Sequence, residues 1–485
     1  MKPKTTYYNR ECSHCWKIIL TMAFSGLLIT LYAGCNTDTG SGENNVVSME
    51  LEHQEKGSAA KTIRAARTLT RLFWQDQEGK TLCCGDLQSE NGNYAIKEIA
   101  IENFPELSSD QNDLVQMVES RGTLFVGVRD HSDGTENSGW LEIDAAVEEE
   151  DHGDHAHWHY SSDPFLRSST LDKKQGNPAH IYLYGNHIYI ANDKINGFTR
   201  VDPKDGTAKF FRGGGGHITM AAVNNRIAYS TWIDRDGDNK GRVDVVDLRK
   251  TVTEPRYSFK LPFGGIHGAG VCGNRAFFAP AHGVCWVDCD FDFAETSETV
   301  DVHHLSLDPS AEGEDYRTGA FTSFGDHILC IANIAKGKTG NPAICVINGT
   351  APNPVVRRIP CDDLADGLKL STVRATRVSG NKSYAFAFAE GDGQEEKLLC
   401  LDLDPNGDRD FSDAMLLREI KVGRSKLEGH FGHHGIAFLA GGKKAVITNP
   451  GDGTISILDL ATQEVDGTVE VGGQPTHIVS YGEAM

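Results

Sequence analysis

His180-Ile-Tyr-Leu-Tyr-Gly-Asn-His-Ile-Tyr-Ile-Ala-Asn192 and His434-Gly-Ile-Ala-Phe-Leu-Ala-Gly-Gly-Lys-Lys-Ala-Val-Ile-Thr-Asn449 follow one plan: an apolar run, a Gly-bearing turn, then a second apolar run that stops at asparagine. Runs this short, rich in β-branched and aromatic residues and separated by Gly-Asn or Gly-Gly, read as β-hairpins. Third strands ending in Asp-Leu recur behind them, as in Val243-Asp-Val-Val-Asp-Leu248 and Ile455-Ser-Ile-Leu-Asp-Leu460. Equivalent starts fall near Val115, His180, His217, His267, Thr318, Arg374, His434 and His477, at spacings of 37 to 65 residues. Small antiparallel sheets repeated at such a period stack radially, so the fold class expected is all-β, a β-propeller. The last start, His477, has only one strand behind it before the chain ends. A ring must close or expose an edge. Strands around Thr68 to Phe73 and Thr81 to Leu87 are therefore expected to complete the final blade, closing the ring with N- and C-terminal strands. That gives eight blades, with seven as the alternative.

The repeat makes the histidines informative. His180, His217, His267, His434 and His477 all stand at or near the start of a first strand, and first strands line a propeller's channel. Side chains from different blades can converge there on a metal or an anion. A second group lies in Glu148-Glu-Glu-Asp-His-Gly-Asp-His-Ala-His-Trp-His-Tyr160, which holds four of the chain's 19 histidines in eight residues beside a run of acids. His155, His157 and His159 alternate, so an extended segment puts them on one face. The outer two then lie roughly 13 Å apart, so one zinc ion would need further ligands from elsewhere. If this stretch joins the third and fourth strands of its blade, it lies on the face opposite the first-strand starts; if it leaves the fourth strand, both groups share a face. His187, His282, His303, His304 and His327 fall in turns, loops or second strands and are read as structural.

Lys2, Lys4, Arg10 and Lys17, the apolar run Ile18 to Tyr32 and Ala33-Gly34-Cys35 resemble a bacterial lipoprotein signal, with Cys35 the expected lipidation site; ordinary secretion with cleavage nearby and retention as a membrane anchor are the alternatives. Tyr32 stands where such signals usually carry leucine. Asn36 after the cysteine favours the outer membrane of a periplasm-bearing cell. The domain plan expected is residues 1–35 as signal, 36–60 as a flexible Gly/Ser/Asn-rich tether and 61–485 as propeller. The formal charge is −21 over the whole chain, which disfavours nucleic acid and anionic lipid and attracts cations. The membrane is expected to be met through the lipid anchor alone. An odd number of cysteines follows Cys35, which leaves at least one thiol free or paired between chains. Asp234, Asp236 and Asp238, and likewise Asp404, Asn406 and Asp408, alternate around a glycine as calcium loops do, without the EF-hand's final glutamate. No nucleophile with an adjacent base and no phosphate-binding loop appears, so no catalytic residue is assigned.

Asp151-His-Gly-Asp-His-Ala-His-Trp-His-Tyr160, Pro178-Ala-His180, Ile266-His-Gly-Ala269, His282-Gly-Val-Cys-Trp286, Gly432-His-His-Gly435 and Gly473-Gln-Pro-Thr-His-Ile478 together resemble the AztD-type periplasmic zinc metallochaperones. The resemblance spans the chain after about residue 65 and implies a propeller that holds Zn²⁺ through histidines. It implies a partner, the solute-binding protein of a zinc ABC importer, to which the metal passes. Carried to matching positions, His152, Asp154, His155 and His157 are loop ligands, with His159 beside them, and His180, His217, His267 and His434 are channel ligands. The lipid anchor and the extra cysteines depart from that pattern.

Overall fold

The computed structural model describes residues 66–108, 111–131, 137–153, 156–308, 316–334, 340–361, 364, 368–378, 380, 382–391 and 394–482. Residues 1–60, where a signal and a tether are expected, with Cys35 among them, and Asp154 and His155 lie outside the described residues. Eight sheets of four or five antiparallel strands form the ring, which settles the blade number at eight. Blade 1 runs through Asn112–Ser120, Thr123–Asp130, Gly139–Asp144 and Phe165–Leu171, and blade 2 through Ile181–Tyr184, His187–Asn192, Gly197–Val201 and Ala208–Arg212. Blades 3, 4 and 7 repeat this order, beginning at Met220, Ala269 and Ile436. In blades 5 and 6 the innermost strand is split, into Tyr316–Arg317 with Thr322–Phe324 and Lys369–Leu370 with Arg374–Arg377.

Blade 8 closes the ring as expected. The C-terminal strand Pro475–Tyr481 is innermost and pairs with Arg67–Asp76, placing Leu72 opposite Ser480 and Trp74 opposite Ile478. Thr81–Glu90 and Asn93–Glu98 follow outward. Pairing these two segments gives Arg67–Asp76 a partner on both edges and completes a fourth strand for the blade.

Alternation along each strand sends one set of side chains to each neighbouring blade. Phe125 and Trp140 of blade 1 thus pack with Ile181, Ile188, Ile190 and Val201 of blade 2, while Leu124, Val126 and Leu141 pack with Phe73, Leu82 and Cys84 of blade 8. Each such side chain, once buried, contributes roughly 1.5–3 kcal/mol, so the blade interfaces form a continuous core. The only helical elements among the described residues are two 3₁₀ turns, Lys173–Gln175 and Asp193–Ile195, and none of the described helices is long and apolar enough to cross a membrane.

The acidic, histidine-rich stretch is a two-stranded hairpin, Glu148–Asp151 with Ala156–His159, inserted between the third and fourth strands of blade 1. Antiparallel order places that connection at the opposite end of the blade from the first-strand starts, so the hairpin and the channel histidines occupy different faces of the ring. Its root is fixed by Arg71, whose guanidinium binds the Asp86 carboxylate and donates to the carbonyls of Ala145 and Ser162 on either side of the insert. Trp158 meets Tyr481 of the closing strand edge-on at 5.5 Å.

Cys83, Cys84, Cys272, Cys285, Cys289, Cys330, Cys345 and Cys400 are free thiols, most of them buried. Burial pushes Cys285 and Cys400 up to about 12 and Cys272 up to about 11. Thiols so protonated are poor nucleophiles and poor ligands.

Candidate metal centre

Three of the predicted channel histidines meet. His180, preceding the first strand of blade 2, and His217, preceding that of blade 3, stand with their Nε2 atoms 2.9 Å apart. The ring of His267, preceding the first strand of blade 4, lies 5.0 Å from that of His217 and 6.3 Å from that of His180, centroid to centroid. Each outer nitrogen has a partner. Gln116 meets His180 Nδ1 at 3.2 Å, Asp193 meets His217 Nδ1 at 3.4 Å, and His267 hydrogen-bonds the Gly319 backbone. Holding a histidine's far nitrogen in this way orients the ring towards a metal.

The hydrogen bonds also fix where the protons are. Gln116 Oε1 accepts the Ile181 N–H at 3.0 Å, so its amide NH₂ faces His180. His180 Nδ1 must then accept, His180 Nε2–H donates to His217 Nε2, and His217 Nδ1–H points at Asp193. Asp193 is almost fully buried; its Oδ2 has no hydrogen bond among the described residues but lies 3.6 Å from Arg129 Nη1. One proton thus stands between two imidazoles where a cation could stand. Two imidazoles on one tetrahedral zinc have their nitrogens about 3.3 Å apart, so the pair would open only slightly. Among the described residues no set of three or more His, Cys, Asp or Glu is already arranged around a metal position; loading requires that opening and a shift of the His180 proton from Nε2 to Nδ1, where the Gln116 side chain would have to turn and accept it. Burial, then the neighbouring His217 and His267, hold the basicity of His180 well below the ordinary histidine range. Burial, then His217, lower His267 as well. Rings kept neutral are ready to ligate.

A fourth histidine was not singled out by the repeat. The segment before blade 7 turns back on itself, Lys426 N–H to Gly432 C=O at 2.9 Å and Glu428 N–H to Phe431 C=O at 3.1 Å. It carries His430 across to stack on His267, centroids 6.2 Å apart. Gly432 makes the return possible: its φ is +77°, and a Cβ there would come within 1.6 Å of the Lys426 oxygen. The available signal was Gly429-His-Phe-Gly-His-His434, several histidines between glycines, which strand-start counting passed over.

His434 goes elsewhere. Its Nδ1 donates to the Thr448 carbonyl at 2.6 Å and its Nε2 to Glu396 at 2.8 Å, in the interior between blades 6 and 7. Both ring nitrogens are committed, so the channel role expected for it is not where its side chain sits. Burial opposes the charge on Glu396, yet hydrogen bonds from His434, Ser425 and Gly391 outweigh it and bring the carboxyl down to about 2. His433 bonds Glu390 at 2.8 Å and is raised by that contact. His477 faces the channel in blade 8, lowered to about 4 by burial and then by Arg374 and His433.

On the hairpin, Glu150 stands between two histidines, 3.1 Å from His159 Nε2 and 3.6 Å from His152 Nε2. The rings of His152 and His157 meet edge-on at 5.1 Å. His157 and His159 are exposed on one face while Trp158 packs inward. In the 404–413 loop the oxygens cap their own turns: Asp404 accepts from Arg409 N–H, Asn406 from Asp408 N–H and Asp408 from Asp410 N–H. Turn chemistry accounts for that composition. Asp236 and Asp238 are exposed and Asp234 is half-buried.

Two solved structures share this architecture. Apo AztD from Citrobacter koseri is 18% identical over 86% of this chain and 98% of its own, with a TM-score of 0.59. A second Citrobacter koseri AztD structure gives 18% and 0.58 over the same shares. The resemblance read from the motifs is thus met at the level of the fold. Neither protein-family models nor curated protein sequences give a match.

Proposed function

We propose that this protein is an exported zinc carrier: it holds Zn²⁺ in the channel through His180, His217 and His267, with His430 closing the site, and passes it to the solute-binding protein of a zinc ABC importer. The observation that carries this reading is the convergence of three imidazoles from consecutive blades, each braced at its far nitrogen and two of them sharing a single proton. The shared AztD fold supports it. Zinc is cargo here, so the site must release as well as bind. Neutral imidazoles exchange ligands stepwise, and a proton returning between His180 and His217 would compete with the metal. The exposed hairpin, with His152, His157 and His159 around Glu150, supplies a second, looser set of ligands on the other face. Competition titration with a chromophoric chelator tests the assignment. The reading expects one tight zinc that weakens roughly 100-fold in His217→Ala, and additional weaker zinc that disappears when residues 147–160 are removed. Tight zinc unchanged in His217→Ala would overturn it.

A further inference from the structure

Away from both histidine groups, the outer strands of blades 1 and 2 border an open cleft of about 590 Å³, within the size range of small-molecule sites. Glu142 and Trp140 line it from the third strand of blade 1, and Asp205, Gly206, Ala208 and Phe210 from blade 2. Glu142 is only 8% exposed. Its Oε1 accepts the Trp140 indole N–H at 3.2 Å, and among the described residues it has no other hydrogen bond or ion pair. An ionised carboxylate accepts at about four positions and is costly to bury so sparsely bonded. Its Oε2 lies near Gly206 of the facing blade, 3.7 Å from where a Cβ there would stand. Arg167, the cation in the lining, is engaged elsewhere: Nη1 donates to Thr123 Oγ1 at 2.6 Å and Nε lies 3.9 Å from Asp144. Asp205 adds an exposed carboxylate at the rim.

We propose that this cleft is a binding site for an organic cation, with an ammonium or guanidinium group seated on Glu142 and its carbon chain lying against Phe210 and Trp140. One deep carboxylate, one at the rim and aromatic walls suit such a ligand, since the charged head completes the acceptor and the rings attract its cation face. A bare metal ion would find a single buried carboxylate and no further ligands of its kind. The ligand is a free amine or a lysine or arginine side chain of another protein, and the two sources are separable.

Isothermal titration of the full exported chain with n-butylammonium, methylguanidinium and capped Gly-Lys-Gly and Gly-Arg-Gly peptides tests this, with butyrate and glucose as controls. Saturable binding of amines or peptides but not of the controls is expected, at least about tenfold weaker in Glu142→Gln. A free amine binding as well as its peptide identifies a small-molecule ligand, and a preference for the peptide identifies a side chain. Ala208→Trp, a substitution at an exposed lining position, should block the site while leaving the core untouched and the circular dichroism unchanged. No saturable binding of any cation, or binding undiminished in either folded variant, would overturn the proposal. Metal content plays no part in the readout, so it stands or falls apart from the zinc assignment.

Discussion

Arg71→Met should be among the most damaging single changes in the ring. Arg71 is 0% exposed and meets Asp86 with two hydrogen bonds, Nε at 2.8 Å and Nη2 at 3.2 Å. Its Nη1 reaches the carbonyls of Ala145 and Ser162, both at 2.8 Å. Methionine fills the space of the aliphatic stem but leaves Asp86, 4% exposed, as a buried charge with its main partner gone. Breaking a buried pair on one side costs about 3–5 kcal/mol, and the two stranded carbonyls bring the loss to the upper part of that range. Against a total stability of about 5–15 kcal/mol this is a large share. Urea unfolding followed by tryptophan fluorescence measures it. Removing the stranded charge as well, in Arg71→Met with Asp86→Leu, should recover about half or more of the loss. Amide exchange should quicken on both sides of the hairpin, near Ala145 and Ser162, in the single variant. A loss below about 1 kcal/mol, or a double variant no better than the single, would refute the view that Arg71 bolts the hairpin root to the closing blade.

His434→Gln should lower stability by about 2–4 kcal/mol while leaving zinc affinity within twofold, because it removes a partner of the buried Glu396 and no channel ligand; chelator competition and urea unfolding on one preparation check both halves. Gln116→Glu should tighten zinc about tenfold, since a carboxylate accepts from His180 Nδ1–H and frees Nε2 for metal, where the amide enforces the reverse; unchanged or weaker binding would count against the proton arrangement. Stability should fall in acid, while above the ordinary histidine value His433, raised by Glu390, acts in the opposite sense and loses its contribution as pH rises. His477, lowered to about 4 in the folded state, favours folding above the ordinary histidine value and loses that contribution as pH drops through 4. Glu396, lowered to about 2, favours folding above the ordinary carboxyl value near 4.5 and loses it as pH drops towards 2. A stability maximum below pH 5 would contradict both signs.

The ring was legible because each blade repeats its turn chemistry, and the closure because one strand was left over at the C-terminus with partners waiting near Thr68 and Thr81. The convergence of His180, His217 and His267 was legible from their common place at strand starts. His434 shows where that reasoning stops. Gly435 and Gly268 hold equivalent places, each accepting from the second strand at Thr448 and Ala279, so His434 and His267 are equivalent along the chain. They part because blade 6 presents Glu396 to His434, whereas His267 meets a Gly319 backbone group at one nitrogen only. A carboxylate 38 residues away in sequence, in the neighbouring blade, does not register in strand-start spacing. His430 was missed for the converse reason: it belongs to no strand and reaches the channel only because Gly432 turns the chain back. Glu142 gave no sign of a binding cleft, since a single glutamate in an alternating strand looks like any outward-facing residue until the neighbouring blade covers it.

X-ray absorption at the zinc edge of the protein loaded with one equivalent of zinc tests the central claim most directly. The account predicts three or four nitrogen ligands at about 2.0 Å with the outer-shell scattering of imidazole, at least one of them lost in His217→Ala. Sulfur ligands at about 2.3 Å, which the free thiols of the ring would supply, or oxygen ligands without imidazole scattering, would place the metal elsewhere and contradict the channel site.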